Sequence, residues 1–183
     1  MFETGQSVTL QDVLNARESR VQLQNELLKQ YEGNTLINYK CNIPGPIKNN
    51  AAIKALFQQG FNDIIRSIVD HNVQVIDQKV INWKTGIEAF IMVAQPPKEV
   101  KKWMVAIEEN SPLGRLFDID VIYRDQDSKQ EQVQSISRTD LGFPERMCLI
   151  CDQPAKACGR NRTHSVEEMQ AFISQLAKDN HLV

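Results

Sequence analysis

An α+β fold is what this sequence predicts: one domain over residues 1–183, built on a single mixed sheet with flanking helices. A small lobe over about residues 145–183, carrying cysteines and a histidine, closes the chain. Three observations lead there. Strand-like segments interleave with three or four helical ones, a pattern that makes layered α+β or mixed α/β domains. The 183 residues are 42% apolar and 24% charged, enough to bury a core without staples. The last ~35 residues shift in composition and gather Cys148, Cys151 and Cys158, three of the four cysteines.

The elements follow in order. Thr9, with Asp12 three residues on, predicts a capped helix start. Leu10, Val13, Leu14, Val21, Leu27 and Leu28 then recur at helical spacing as far as Tyr31, and Glu32-Gly33-Asn34 ends the helix. Thr35 to Ile43 reads as a strand, closed by Pro44-Gly45-Pro46. A second helix spans about Asn49 to His71, with Gly60 as a candidate bend. Val73 to Ile81 and Ile87 to Ala94 read as strands joined through Lys84-Thr85-Gly86. Pro96-Pro97 opens a helix to about Asn110, which Ser111 to Gly114 break. Phe117 to Tyr123 is a strand, and Gln132 to Ser137 pairs with it across the polar turn Arg124 to Lys129. Ser165 and Glu168 form a capping box for the last helix.

A formal net charge of -2 gives no bulk attraction to nucleic acid or to a membrane surface. No apolar run approaches the ~20 residues that span a bilayer. Met1 to Leu10 lack the basic start and apolar stretch of a secretory signal. The expectation is a cytoplasmic chain with no nucleic-acid or membrane partner, whose cysteines stay out of disulfides.

The chemistry concentrates in Gly114-Arg115-Leu116-Phe117-Asp118-Ile119-Asp120-Val121. Alternation along a strand puts Asp118 and Asp120 on one face, about 6.6 Å apart in rise. Two such carboxylates can hold Mg²⁺ for phosphoryl transfer, and Arg115 can clamp a phosphate. The bland alternative is a solvated edge strand, although Asp is uncommon inside an apolar strand. The pair suits nucleotidyl transfer and predicts a nucleotidyltransferase-like domain. The Gly-Ser pair that commonly precedes such carboxylates is missing, since Gly114 stands close by and no Ser follows it.

Three further groups stand out. Cys148, Cys151, Cys158 and His164 offer a Cys3His zinc set, or else a compact loop with part-buried thiols. Arg160 and Arg162 precede the capped helix at Ser165, a fair phosphate corner or a solvated basic loop. Lys48 follows a rigid Pro-Gly-Pro turn that either presents it to a ligand or is only a turn. Glu88 is a third carboxylate if its strand neighbours the Asp strand, and a paired Glu otherwise.

Together these motifs resemble the apo-citrate lyase phosphoribosyl-dephospho-CoA transferase family, also called holo-citrate-lyase synthases. The resemblance covers nearly the whole chain. It runs through Leu14 to Arg20, Asn42 to Lys48, Thr85 to Ala89, Ser111 to Val121, Cys148 to Ala155, and Cys158 to Ser165. It implies a donor, 2'-(5''-triphosphoribosyl)-3'-dephospho-CoA, and an acceptor serine on the apo acyl-carrier (gamma) subunit of citrate lyase. The serine would attack the phosphorus nearest the ribose and release pyrophosphate. Asp118 and Asp120 would then hold Mg²⁺ with Arg115 beside them, and Gly114, Lys48, Arg160 and Arg162 would bind substrate. Two other readings stand beside it: a nucleotidyltransferase with a different triphosphate donor, and a non-catalytic, zinc-stabilised binding module.

Overall fold

A computed structural model describes residues 1–125 and 132–182. Its elements are α1 (Leu10–Gln30), β1 (Thr35–Cys41), α2 (Ala51–Asp70), β2 (Val75–Trp83), β3 (Gly86–Val93), α3 (Pro97–Asn110), β4 (Phe117–Arg124), β5 (Val133–Ser135), α4 (Ala155–Asn161) and α5 (Val166–Asp179). The capping boxes at Thr9 with Asp12 and at Ser165 with Glu168 both form. Of the polar turn expected after β4, residues 126–129 lie outside the described residues. The short helix α4 inside the cysteine segment was not expected. Among the described residues, no helix is long and apolar enough to cross a membrane.

The strands lie in the order β2-β3-β1-β4-β5, and every pairing is antiparallel. This corrects the expected mixed sheet. Helical crossovers β1-α2-β2 and β3-α3-β4 do join strands that run the same way, but each crossover skips one position. The hairpin strand β3 fills the first gap and β1 fills the second, so parallel strands never touch. Two split βαβ units are thus interleaved, the ferredoxin-like arrangement, and β5 extends the sheet beside β4.

Each face of the sheet has its own chemistry. Ile37, Tyr39, Ala89, Ile91, Val93, Phe117, Ile119 and Val121 share the main core with Ile53, Leu56, Ile64 and Ile68 of α2 and with Val100 and Met104 of α3. Ile173 of α5 is buried in the same core, which seats the C-terminal helix on it. On the opposite face, Leu36, Phe90, Met92 and Ile122 pack with Leu27 and Leu28 of α1. Further along that second face the same alternation presents Asn38, Lys40, Glu88, Asp118 and Asp120. Thus α1 covers an apolar half of the sheet and then passes over a charged half.

Gly60 does not bend α2, which runs unbroken through it. A Cβ at Gly60 would lie 2.2 Å from the Tyr39 hydroxyl oxygen and 2.8 Å from the Phe117 ring. The glycine lets the buried Tyr39 hydroxyl reach past the helix and donate to the Phe57 carbonyl at 3.2 Å. In contrast, a Cβ at Gly159 of α4 would meet nothing within 4 Å. Gly60→Ala is therefore expected to destabilise the fold by about 1–3 kcal/mol through overpacking. Gly159→Ala should stabilise it by about 0.5–1 kcal/mol through helix propensity. Urea unfolding midpoints at constant m-value read both changes.

Candidate active site

The site is set by the register of β1. Lys40 lies opposite Glu88 on β3 and opposite Asp118 on β4, and Asn38 lies opposite Asp120. Glu88 is buried and already engaged, since Arg20 of α1 holds it in a fork at 2.5 and 2.6 Å. Lys40 therefore turns the other way. Its ammonium hydrogen-bonds Asp118 and lies 4.0 Å from an Asp120 oxygen. Asn38 donates to the Ala89 carbonyl at 3.1 Å and accepts from Gln24 at 2.9 Å, so it is spent on holding α1 to the sheet.

Both aspartates keep open carboxylates, with side chains 39% and 46% exposed for Asp118 and Asp120. Desolvation first, and the neighbouring Asp118 charge second, hold the Asp120 carboxyl above its ordinary value. Two hard oxygen donors of like charge suit a divalent cation, and here the Lys40 ammonium takes the place beside them.

β5 pairs only the far end of β4, so among the described residues no strand lies beside the outer edge of β4 nearer the aspartates. Side chains complete it. Lys101 of α3 donates to the Ile119 carbonyl at 2.9 Å, and Glu108 accepts from the Ile119 N–H at 3.3 Å. Arg146 donates to the Phe117 carbonyl at 3.0 Å and pairs with Glu108 at 2.5 Å. Lys101 and Glu108 are buried, and burial pulls the Lys101 ammonium below its ordinary value. These groups hold rigid the backbone from which Asp118 and Asp120 project.

Two cavities border the carboxylates, and a third adjoins them through shared lining residues. One, of about 530 Å³, lies between α1 and the sheet and includes Arg17, Arg20, Lys40, Lys48 and Asp118. A second, of about 260 Å³, includes Asp118, Asp120, Lys101, Arg138 and Arg146. A third, of about 510 Å³, includes Arg115, Arg146, Arg162, His164 and a largely apolar wall from Leu116, Leu149, Met169 and Ile173. Asp118 borders the first two, Arg146 the last two, and Asn42 joins the first to the third.

The cysteine segment closes on itself. A bridge between Met147 and Pro154 ties off the loop, and the Ile150 N–H donates to the Cys148 sulfur at 3.5 Å. The ligand atoms of Cys148, Cys151, Cys158 and His164 all lie within 4.8 Å of one another. Cys151 Sγ is 3.6 Å from Cys158 Sγ and 3.2 Å from His164 Nε2. A tetrahedral ion with bonds of about 2.3 Å to sulfur has edges near ~3.8 Å, so the set fits a metal such as zinc. Burial works against ionising Cys148, but the Ile150 and Cys151 N–H groups and the adjacent thiols outweigh it and bring that thiol down to about 7. Burial and the neighbouring thiols push Cys158 up to about 11.

The family model for apo-citrate lyase phosphoribosyl-dephospho-CoA transferase matches residues 8–180. This chain belongs to that family. A Streptococcus pyogenes serotype M5 protein named "Probable apo-citrate lyase phosphoribosyl-dephospho-CoA transferase" is 40% identical over 96% of this chain and 88% of its own length. A Vibrio cholerae protein of the same name is 36% identical over 94% of this chain and 93% of its own. The Haemophilus influenzae "Protein CitXG" is 32% identical over 97% of this chain, but the match takes up only 36% of that longer protein.

For this member of the family, the structure sorts the residues singled out from the sequence. Asp118 and Asp120 share a face, and Lys48 lines the cavity that Asp118 borders. Arg115 does not sit beside the carboxylates. Its Nη2 donates to the Met147 carbonyl at 2.7 Å and to the Cys148 carbonyl, and it lines the third cavity with Arg162. The cause is the single turn of 3-10 helix at Gly114–Leu116, which turns the chain before β4 starts. Gly114 is buried against the Ile107 and Glu108 carbonyls, 2.5 and 2.6 Å from where its Cβ would stand. Arg160 lines none of the three cavities. Sequence reasoning missed Lys40, Arg20, Lys101, Glu108 and Arg146. A signal existed for Lys101 and Glu108, which interrupt the apolar face of α3 at Val100, Met104 and Val105.

A raised Asp120 pKa has a signed consequence for stability. The folded state holds the proton more tightly than the unfolded state, so ionised Asp120 opposes folding above its raised pKa. That opposition fades as pH falls through it. In chelator-treated protein, Asp120→Asn is expected to melt at a higher temperature than wild type at pH 7, with the gap closing in acid. Circular-dichroism melts across pH read the trend, and a gap independent of pH would contradict it.

Proposed function

We propose that this chain attaches the 2'-(5''-phosphoribosyl)-3'-dephospho-CoA prosthetic group to a serine of the apo acyl-carrier (gamma) subunit of citrate lyase. The donor is the triphosphate precursor, triphosphoribosyl-dephospho-CoA, and pyrophosphate leaves. The observation that carries this reading is the open Asp118–Asp120 pair between two cavities, in a chain whose family match runs from residue 8 to residue 180. The reaction is of nucleotidyltransferase type, run on a split-βαβ sheet, and we take residues 1–183 as one transferase domain acting in the cytoplasm. The segment from about residue 145 onward forms its lobe.

The serine oxygen forms a bond to the phosphorus nearest the ribose. The bond from that phosphorus to the pyrophosphate oxygen breaks, its electron pair leaves with pyrophosphate, and the serine proton passes to a carboxylate or water at the site. Asp118 and Asp120 would hold Mg²⁺, which, when bound, neutralises charge on the phosphates. Lys101, Glu108 and Arg146 keep the carboxylates fixed, so little reorganisation is needed during reaction. Arg115, Arg162 and the α5 N-terminus line an apolar-walled cavity suited to the dephospho-CoA part of the donor. Arg160, in the last turn of α4, and Lys48 serve as further phosphate ligands. Gly114 acts by letting the strand entrance pack on α3.

Mass spectrometry of apo carrier protein after incubation with this chain, donor and Mg²⁺ is expected to show the added prosthetic group. Asp118→Asn and Asp120→Asn should stay folded yet lose at least ~100-fold in rate, the scale of a lost electrostatic group. Near-normal turnover in both folded variants would remove the carboxylates from the mechanism.

The Cys148, Cys151, Cys158 and His164 set we assign to a structural zinc that holds the lobe. Elemental analysis should find about one zinc per chain, and Cys151→Ser should lose it. A zinc-free protein with free thiols and an intact fold would leave only a packed loop.

A further inference from the structure

The cavity between α1 and the sheet is bordered by a reactive carboxylate and carries an excess of cationic side chains. Its lining has four cations, Arg17, Arg20, Lys40 and Lys48, against two carboxylates, Glu88 and Asp118. The cavity on the other side of Asp118 has four cations, Lys101, Arg138, Arg146 and Lys156, against four carboxylates, Glu108, Asp118, Asp120 and Glu145. Positive charge is therefore balanced on one side of the aspartates and in excess on the other, within a chain of net charge -2.

Individual partners sharpen the contrast. In the balanced cavity, Lys101 is spent on the Ile119 carbonyl, Arg138 on Glu109, and Arg146 on Glu108. In the α1 cavity, Lys48 donates only to the Ile43 carbonyl, and among the described residues neither Lys48 nor Arg17 pairs with a carboxylate. Burial opposes the Lys48 charge, as expected for an ammonium without an anionic partner. Thr85 adds an independent sign. The residue lines the same cavity, and its hydroxyl, shielded from solvent, has no hydrogen-bond partner among the described residues. Such a group carries an energetic cost unless a ligand oxygen meets it.

We propose that the α1 cavity is the polyphosphate site, where Arg17, Lys48 and Thr85 bind the donor's triphosphate and Lys40 accompanies the departing pyrophosphate. This rests on the transferase reading given above. Lys40 can move from the carboxylates to the phosphates because it pivots on β1 between the two, and a divalent cation at Asp118 and Asp120 takes over the charge it leaves. The third cavity is also cationic, but neither aspartate borders it, so it cannot present a reacting phosphorus to them. It connects to the α1 cavity at Asn42, which allows one long donor to occupy both. In-line displacement then leaves the balanced cavity, opposite the leaving group, for the acceptor serine.

Inorganic tripolyphosphate is the probe, titrated calorimetrically into the full chain. Arg17→Ala, Lys48→Ala and the near-isosteric Thr85→Val are each expected to weaken its binding, the two charge deletions by about tenfold or more. Arg162→Ala should leave it within about twofold of wild type. Arg17→Lys should recover part of the loss, which a variant damaged only in folding would not permit. Unchanged affinity in Arg17→Ala and Lys48→Ala, with affinity lost in Arg162→Ala, would overturn the assignment. The two readings fail separately. Wild type that modifies the carrier while these variants bind tripolyphosphate normally sinks the cavity alone. Tripolyphosphate binding through these residues without any mass gain on the carrier sinks the transferase reading and leaves the anion site standing.

Discussion

Lys40 stands between two carboxylates because β1 stands between two strands. The antiparallel register places Glu88 on one side of it and Asp118 on the other, and Arg20 from α1 decides the competition by claiming Glu88 with both oxygens. Lys40 is left to the aspartates, and the site becomes an open acidic pair with one cation. Were Arg20 absent, Glu88 would be a buried, unpaired carboxylate next to Lys40, and the ammonium would be drawn toward it. The helix that caps the apolar half of this face thereby also sets the charge pattern of the other half.

Burial first, and the like charge of Asp118 second, hold the Asp120 carboxyl above its ordinary value, and a loose strand would relieve both by opening the site. The edge of β4 is not loose. Its outward N–H and C=O groups are taken by Lys101, Glu108 and Arg146 where a neighbouring strand would otherwise lie. Side chains fix the backbone here but leave room beside it, which another strand would fill. An open cavity next to a rigid pair of carboxylates follows from that substitution.

Local structure was legible in the sequence where its cause was local. Both capping boxes, the break after α3 and the strand carrying Asp118 and Asp120 follow from residues adjacent in the chain. Gly60 was misread because its reason is the Tyr39 hydroxyl, 21 positions away in sequence. The all-antiparallel pairing was hidden for the same kind of reason: interleaved crossovers are a property of strand order, which no single segment encodes. Of the site, the carboxylates and the Cys/His set announced themselves by spacing. Lys40 did not, because a lysine in a strand looks like any solvated residue until its two neighbours are known.

Arg115 links these two kinds of information. By spacing it belongs with the aspartates three and five positions on, yet its guanidinium fastens the Met147 and Cys148 carbonyls. The start of β4 is thus tied directly to the cysteine loop. Arg146, which lies just before that loop, ties the same strand from the other side through the Phe117 carbonyl. Anything that orders the four-ligand cluster therefore acts on the entrance to the strand that carries the carboxylates, through two short links. The cysteine segment thus fastens the outer edge of β4 that carries no strand among the described residues.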